Sequence, residues 1–210
     1  MRTMQTPINR RAVSAALLAL PALWIGPRAQ AQATRRPTPR QSEGPFYPLA
    51  TPADSDFDLL RNGPLAYDQG QAGWVQGVVS DLQGRPVAGA QVEIWQCDAN
   101  GHYDHPGDGA RNDRAFQGFG KVIVAADGQY RFRTIRPVAY SGRAPHIHVK
   151  VRLGQRDLLT TQIYVKGDPH NQRDFLWRSL SDDIERNALT VAFEPGPNGL
   201  QAVFPIVVQA

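Results

Sequence analysis

Two of the five histidines, His146 and His148, stand two positions apart in residues 146–153, where polar and apolar side chains alternate strictly. A period of two is typical of a β-strand, in which residues i and i+2 share one face. Their Cα atoms would lie about 6.5–7 Å apart, so two imidazoles could converge on one metal ion. For this motif alone, a polar strand face that happens to carry two histidines is the plainer interpretation.

Other side chains that can do chemistry surround the two histidines. Tyr140 and Arg143 precede them in a glycine-containing loop, and Tyr103 follows another predicted strand. Together they would supply two neutral imidazoles, two phenols and a guanidinium. Phenolate is not a usual zinc ligand, whereas a hard anionic oxygen suits ferric iron, as tyrosine ligation of haem iron illustrates. As ligands, the two histidines and two tyrosines would therefore favour non-haem Fe(III).

Alternatives stay open on spacing alone. Tyr103 and Tyr140 could be core tyrosines with satisfied hydroxyls, which is the default in a β protein. An Fe(II) site built from two histidines and one carboxylate would need an aspartate such as Asp104. A zinc-dependent hydrolase is disfavoured by the shortage of a third histidine or a carboxylate at suitable spacing.

The first 31 residues have the pattern of an export signal. Arg10 and Arg11 precede an apolar run, and residues 29–31 (Ala-Gln-Ala) offer a small-residue cleavage site. The arginine pair favours the twin-arginine route, although the residues around it depart from the full consensus. We therefore predict an exported, periplasmic protein whose leader is removed and which has no membrane span.

Removal of the leader changes the charge balance. Of the 23 Lys and Arg residues, four lie in the leader, which has no acidic residue; the 19 that remain equal the 19 Asp and Glu residues. A neutral chain lacks the basic field of a nucleic-acid-binding protein, so we expect no nucleic-acid partner. The single cysteine, Cys97, cannot form an internal disulfide and is expected to pack as a small buried residue near a strand end.

Regular β patterns begin near residue 74. Short strands separated by turn residues predict an all-β fold, an antiparallel β-sandwich with long loops and little helix. The predicted strands span residues 74–81, 90–97, 121–125, 130–135, 146–153, 158–165, 189–193 and 203–208. The one predicted helix spans 173–180, and Asp127-Gly128 predicts a hairpin turn.

We divide the chain into an export signal (residues 1–31), an extended N-terminal arm with loops (32–73) and a β-sandwich catalytic domain (74–210). Residues 32–45 are rich in Pro, Gln, Arg and Thr, a composition typical of a tether. Residues 43–48 contain two aromatic side chains between prolines and predict an extended segment that lies against its own domain or a neighbour.

Several segments resemble the intradiol ring-cleavage dioxygenases, the group of protocatechuate 3,4-dioxygenase and catechol 1,2-dioxygenase. They follow the family's order and cover residues 43 to about 170. The segments are Glu43-Gly44-Pro45-Phe46-Tyr47, Trp95-Gln96-Cys97-Asp98-Ala99-Asn100-Gly101-His102-Tyr103, Phe132-Arg133-Thr134-Ile135-Arg136-Pro137, Arg143-Ala144-Pro145-His146-Ile147-His148 and Thr161-Gln162-Ile163-Tyr164.

The resemblance implies a non-haem Fe(III) site held by two tyrosines and two histidines. It implies that Tyr103 and His148 are the equatorial ligands and that Tyr140 and His146 are the axial ones. Tyr140 would be released when a catechol-type substrate binds and would take a substrate proton.

Two further roles follow from the same resemblance. Arg143 would stabilise negative charge that develops on the substrate ring. Gln162 would hydrogen-bond to substrate or to the residues that hold the metal. The implied reaction opens the ring between the two hydroxylated carbons with O2, giving a muconate-type diacid that contains both oxygen atoms.

The chain departs from the family in ways that leave the substrate open. Only Ser141-Gly142 separates Tyr140 from Arg143, where protocatechuate enzymes carry a longer loop. The helical dimerisation domain of catechol enzymes has no counterpart before residue 74, and a homo- or hetero-oligomer is left open. The Gly84–Ala90 turn also resembles transthyretin-like modules, so a non-enzymatic β-sandwich binding module is the alternative function.

Overall fold

Strands make up most of the regular structure in the computed structural model, which describes residues 35–210; the predicted leader lies outside these residues. In chain order the strands are β1 (Arg61–Asn62), β2 (Leu65–Ala66), β3 (Ala72–Ser80), β4 (Gln91–Trp95), β5 (Phe119–Ile123), β6 (Gln129–Ile135), β7 (His146–Leu153), β8 (Arg156–Val165), β9 (Thr190–Val191), β10 (Glu194–Gly196), β11 (Gly199–Val203) and β12 (Ile206–Val207). The predicted strands agree with these within two residues at each end, except 203–208, which Phe204 and Pro205 divide.

Two five-stranded sheets enclose the core. One has the order β10-β11-β3-β12 with β6 also paired to β3, and the other has the order β5-β4-β7-β8-β9. Buried side chains from both sheets, such as Val75 and Phe132 from the first and Ile94 and Ile147 from the second, belong to one apolar cluster. The predicted all-β sandwich is confirmed. It is not wholly antiparallel, because β11 and β12 run parallel to β3, and β9 runs parallel to β8.

The predicted hairpin at Asp127-Gly128 is wrong. The turn itself forms, with Gly128 in the left-handed region at φ 72° and its N–H donating to Ala125 O. However, β5 before the turn pairs with β4, and β6 after it pairs with β3, so the turn connects the two sheets. Turn chemistry fixes a local reversal of the chain, whereas the partner of each strand depends on which sheet buries its apolar face.

The helical content also differs from the prediction of one helix at 173–180. A 3-10 turn at Pro169–Arg173 precedes helix α1 (Phe175–Arg178), and α2 (Asp183–Ala188) follows. Asp174 caps α1 and Asp182 caps α2, each accepting from backbone N–H groups of the first turn. Asp182 and Glu185 have the spacing of a capping box, a sequence signal that would have located α2. No helix within residues 35–210 is long and apolar enough to cross a membrane.

The N-terminal residues 35–45 are not a free tether. The N–H groups of Arg35, Thr38 and Gln41 donate to Leu82 O, Val207 O and Thr160 O respectively. These bonds fix the chain along the sandwich and lead it to residues 41–47, which we call the cover segment. The cover segment lies over the polar face of β7.

Candidate metal centre

β7 is the central strand of its sheet, and both of its faces are buried. Ile147 and Val149 face the core, and the opposite face carries His146, His148 and Lys150, all of them buried. The strand was predicted to be half-buried. The difference arises because the cover segment shields the polar face from water.

The two histidines direct one nitrogen each toward the same point. The Nε2 atoms of His146 and His148 lie 3.2 Å apart. His146 Nδ1 is 2.6 Å from the carbonyl oxygen of Ala144, so Nδ1 donates its proton there and Nε2 has a free lone pair. Two nitrogen ligands about 2.1 Å from one metal ion and at right angles to each other would be about 3.0 Å apart. The observed separation matches that geometry.

Burial keeps both imidazoles neutral. It lowers the pKa of His146 to about 4, with a further lowering from the nearby Arg143. Burial also lowers the pKa of His148 well below its usual value, helped by His146 and Arg143. Neutral imidazole is the form of histidine that binds metal ions.

Tyr103 is placed by a tightly hydrogen-bonded loop after β4. Asp98 Oδ1 accepts from the N–H groups of Asn100 and His102, and Asp108 Oδ2 accepts from Tyr103 N–H at 2.9 Å. The Tyr103 side chain is buried, and its hydroxyl lies near that of Tyr140 but has no partner with full hydrogen-bond geometry in the described part of the chain. A core tyrosine usually has a satisfied hydroxyl, so this interpretation does not fit Tyr103.

Tyr140 and Arg143 are the two ends of a tight turn. Arg143 N–H donates to Tyr140 O at 2.7 Å, and the two residues between them, Ser141 and Gly142, have φ values of 43° and 76°. Two consecutive residues with positive φ define a type I′ turn, in which glycine is favoured at the second position. The turn brings the phenol of Tyr140 and the guanidinium of Arg143 to the same side of the site.

The side-chain ring of each of the four predicted ligands lies next to the rings of two others. The centroid distances are 5.0 Å from Tyr103 to Tyr140, 5.4 Å from Tyr140 to His146, 4.7 Å from His146 to His148 and 6.0 Å from His148 to Tyr103. Burial raises the pKa of both tyrosines. Without a cation the two phenols are therefore protonated at neutral pH.

The donor set fits a metal ion of hard character. It consists of two neutral imidazole nitrogens that converge and two phenol oxygens, one of them buried without a partner. No group of three His, Cys, Asp or Glu side chains that could hold a metal occurs within residues 35–210. The two phenols are the further side-chain donors that lie beside the two imidazoles.

Arg143 and Gln162 are hydrogen-bonded to each other beside the four rings. Arg143 Nη2 donates to Gln162 Oε1 at 2.7 Å, and Arg143 Nε donates to Asp174 Oδ2 at 2.7 Å. Gln162 Nε2 donates to Ser42 O, and the Tyr164 hydroxyl, which is 2.9 Å from Gln41 Oε1, also lies 3.2 Å from Gln162 Oε1. The amide of Gln162 therefore orients Arg143 and connects it to the cover segment.

The cover segment packs against the predicted ligands on the polar face of β7. A Cβ at Gly44 would lie 3.2 Å from His148 Cε1, so this position admits little beyond glycine. Phe46 stacks on Tyr103 with ring centroids 4.6 Å apart. Glu43 forms an ion pair with Lys150, and Tyr47 donates to Glu93 Oε2 at 2.7 Å.

Other residues considered from the sequence lie outside this arrangement. Asp104 is exposed, so it is poorly placed to complete a site of two histidines and one carboxylate. His102 Nδ1 is 3.3 Å from Asp108 Oδ2, and His105 Nδ1 accepts from Gly107 N–H. Cys97 is buried, and burial raises the pKa of its thiol to about 12, in keeping with a packing role.

Sequence reasoning missed Asp174, Glu43 and Trp95 as parts of the site. Trp95 lies opposite His148 in the β4–β7 register and stacks on its ring at 4.7 Å. Asp174 lies in the segment that was predicted as a helix, and its position before an apolar run is a recognisable cap signal. Its contact with Arg143 has no local sequence signal, because the two residues are brought together by the β7–β8 pairing.

Comparison with known proteins gives a consistent result. A family model described as "Dioxygenase" matches residues 42–209. The chain is 32% identical to catechol 1,2-dioxygenase of Acinetobacter baylyi over 158 residues, which is 67% of this chain and 50% of that protein. It is 37% identical to the protocatechuate 3,4-dioxygenase beta chain of Burkholderia cepacia over 147 residues, 62% of this chain and 60% of that one. The chain thus spans about half the length of the first curated relatives it matches.

Solved structures share the fold. The dioxygenase domain of a dioxygenase carbohydrate-binding protein fusion from Streptomyces sp. SirexAA-E matches with a TM-score of 0.65 and 32% identity, covering 82% of this chain and 97% of that one. Mercury-inhibited catechol 1,2-dioxygenase from an Acinetobacter species matches with a TM-score of 0.63 and 28% identity, covering 81% of this chain and 62% of that one.

Proposed function

Because the chain belongs to the intradiol dioxygenase family, we propose that it cleaves a catechol-type aromatic ring between the two hydroxylated carbons. One molecule of O2 is consumed and both of its atoms enter the product. The carbon–carbon bond between the hydroxylated positions breaks, and two carboxyl groups form to give a muconate-type diacid. The observation that carries this proposal is the convergence of His146 and His148 beside two phenols and a guanidinium.

Tyr103, Tyr140, His146 and His148 would hold a non-haem Fe(III) ion. Bound there, the ion would act as a Lewis acid that activates a catecholate toward O2. Two phenol oxygens are hard donors of the kind that favours the ferric state. The hydroxyl of Tyr103, buried without a partner among residues 35–210, is the donor most clearly prepared for a cation.

The remaining residues would bind and orient the substrate. Arg143 uses Nε and Nη2 for Asp174 and Gln162, and its guanidinium lies beside the Tyr140 phenol, where it would face negative charge on a bound ring. Tyr140 is less buried than Tyr103, and its raised pKa makes its phenolate a suitable acceptor for a substrate proton. The cover segment, which contacts His148, Tyr103 and Gln162, would limit the access of water to a bound ring.

The visible absorption spectrum of the mature chain (residues 32–210) is the first test. A tyrosinate-to-iron charge-transfer band, iron bound at about one per chain, and a shift of the band on anaerobic addition of catechol are the expected results. Cleavage of catechol under ¹⁸O2 should give a diacid with two labelled oxygens. His148→Ala should lose the iron and the colour together.

The alternative function, a non-enzymatic binding module, predicts the opposite result. If the chain stays colourless after incubation with ferric iron and leaves catechol unchanged under O2, the phenols do not bind the metal and the protein does not catalyse ring cleavage. Full iron occupancy in His148→Ala would also overturn the ligand set.

We extend the proposal to export of the protein through the twin-arginine route into the periplasm, on the strength of Arg10, Arg11 and the apolar run that follows. Expression of the whole chain in a bacterium and fractionation of its compartments tests this. Replacement of both arginines by lysine should retain the unprocessed chain inside the cell. Processing that is unaffected by this replacement would exclude the route.

A further inference from the structure

Asp174 holds a buried carboxylate at the edge of the site. Its side chain is fully buried, and the side chain of Arg143, with which it is paired, is 13% exposed. Arg143 Nε donates to Asp174 Oδ2 at 2.7 Å, and Nη2 lies 3.5 Å from Oδ1. The guanidinium is therefore held through Nε by Asp174 and through Nη2 by Gln162, at 2.7 Å each, and these two directions fix the plane of the group.

The same carboxylate also fixes the backbone that leads to the first histidine. Asp174 Oδ2 accepts from Ala144 N–H at 2.9 Å, and Ala144 O accepts from His146 Nδ1 at 2.6 Å. Ala144 is fully buried and lies next to Arg143 in the chain. Asp174 thus acts on the orientation of the guanidinium directly and on that of the His146 imidazole through one residue.

The second carboxylate oxygen of Asp174, Oδ1, caps a helix. Asp174 Oδ1 accepts from the N–H groups of Leu176 and Trp177 at 3.0 Å each, so Asp174 caps α1. The cap places Phe175, which is 66% exposed, with its ring centroid 5.3 Å from the Arg143 guanidinium carbon. Both oxygens of Asp174 are consequently occupied by groups that line or support the site.

The pair is charged in the folded protein. Burial would raise the pKa of Asp174, but hydrogen bonds from Arg143 and from the N–H groups of Trp177 and Ala144 lower it overall. Burial would lower the pKa of Arg143, but Asp174 raises it overall. An ion pair removed from water in this way keeps one geometry, since neither partner can be replaced by solvent at low cost.

We propose that Asp174 is the positioning residue of this site, which orients Arg143 for the substrate and His146 for the metal through its single carboxylate. The inference rests on the proposed function for its catalytic consequence. Its structural content, the restraint of Arg143 and Ala144, does not depend on that function.

The test compares Asp174→Asn with Asp182→Asn. Asparagine keeps an oxygen that can accept from backbone N–H groups but removes the charge that pairs with Arg143. Asp182 is a matched control, because it also caps a short helix, accepts from Glu185 N–H and is far more exposed. We expect Asp174→Asn to lower kcat for catechol by about 10- to 100-fold, as is typical for outer hydrogen-bond partners of a metal site. KM should change far less than kcat, and Asp182→Asn should change neither constant.

Nitrogen-15 NMR provides a readout that does not depend on activity. In the whole mature chain, as purified without iron and after loading with diamagnetic Ga(III), the Nε–H signal of Arg143 and the N–H signal of Ala144 should exchange slowly with solvent. Both should exchange faster in Asp174→Asn and stay slow in Asp182→Asn. An Arg143→Lys variant assigns the Nε–H signal.

The outcomes separate the inference from the proposed function. A wild-type chain without ring-cleavage activity but with slow exchange at both positions refutes the function and supports the positioning. Rapid exchange at Arg143 in the wild type overturns the inference even if Asp174→Asn does not fold. An active wild type whose kcat is unchanged by Asp174→Asn also overturns it.

Discussion

Glu43 and Lys150 form an ion pair between the cover segment and the strand that carries both histidines. Lys150 lies on the same face of β7 as His146 and His148, and its ammonium group is 4.1 Å from the ring centroid of Tyr47. Its side chain is 9% exposed and that of Glu43 is 40% exposed. The pair fixes the cover segment to β7 at Lys150, two residues beyond the predicted ligand His148.

Replacement of Lys150 by methionine should loosen the cover segment. The variant keeps the length of the side chain and removes its charge, so Glu43 loses its partner and can return to water. We expect the free energy of unfolding to fall by about 1–2 kcal/mol, less than for a fully buried pair. Limited proteolysis should cut the chain near residues 41–47 faster than in the wild type.

Arg152→Met is the matched control for Lys150→Met. Arg152 also lies on β7 and pairs with Asp157, but both side chains are at least one-third exposed. Its loss should cost at most about 1 kcal/mol and leave proteolysis of the cover segment unchanged. Equal effects of the two substitutions would contradict a specific role of Lys150 in holding the cover segment on β7.

Tyr103→Phe and Tyr130→Phe should change stability in opposite directions. Tyr103 has a buried hydroxyl without a partner in the described residues, whereas Tyr130 donates its buried hydroxyl to Phe204 O at 2.6 Å. Urea unfolding of the metal-free chains should show a gain of up to about 1 kcal/mol for Tyr103→Phe and a loss of about 1–2 kcal/mol for Tyr130→Phe. Iron content should fall only in Tyr103→Phe. A loss of stability in Tyr103→Phe equal to that in Tyr130→Phe would mean that the hydroxyl has a structural partner.

The sequence contained enough to locate the strand at the centre of the site. The alternation in residues 146–153 predicts β7 with both of its ends, because side-chain periodicity is a local property of a strand. The type I′ turn that joins Tyr140 to Arg143 likewise has its local signal in Ser141-Gly142.

Relationships between distant segments could not be predicted in the same way. The Asp127-Gly128 turn indicates a reversal of the chain but not that the strands on its two sides join different sheets. The contacts of Asp174 with Arg143 and of Glu43 with Lys150 join segments 31 and more than 100 residues apart. They depend on strand order and on the docking of the N-terminal residues, neither of which has a periodic pattern.

Gly44→Ala should weaken the metal site more than it weakens the fold. Gly44 has φ 78°, where a side chain costs roughly 1–2 kcal/mol, and its Cβ would press on His148 at 3.2 Å. Gly89→Ala is a close control, because Gly89 has φ 77° and nothing within 4 Å of the added Cβ. Both variants should lose similar stability, and only Gly44→Ala should bind iron more weakly in a competition with a chelator. Equal iron affinity in the two variants would show that the cover segment moves away from His148 without consequence.

Arg143→Ala should abolish most of the turnover while the metal stays bound. The guanidinium interacts with the phenol of Tyr140, but His146, His148 and Tyr103 do not depend on it for a hydrogen bond. Asp174 keeps its three backbone donors when Arg143 is removed. Loss of one preorganised donor in a dry site typically costs about 10²- to 10³-fold in rate, and we expect kcat/KM for catechol to fall by that amount at unchanged iron content. Arg143→Lys retains the charge but cannot reach Asp174 and Gln162 with a planar fork, so its rate should lie between those of the wild type and Arg143→Ala. Loss of iron in Arg143→Ala would instead mean that Arg143 supports the fold around the site. A guanidinium has no lone pair with which to bind the metal itself.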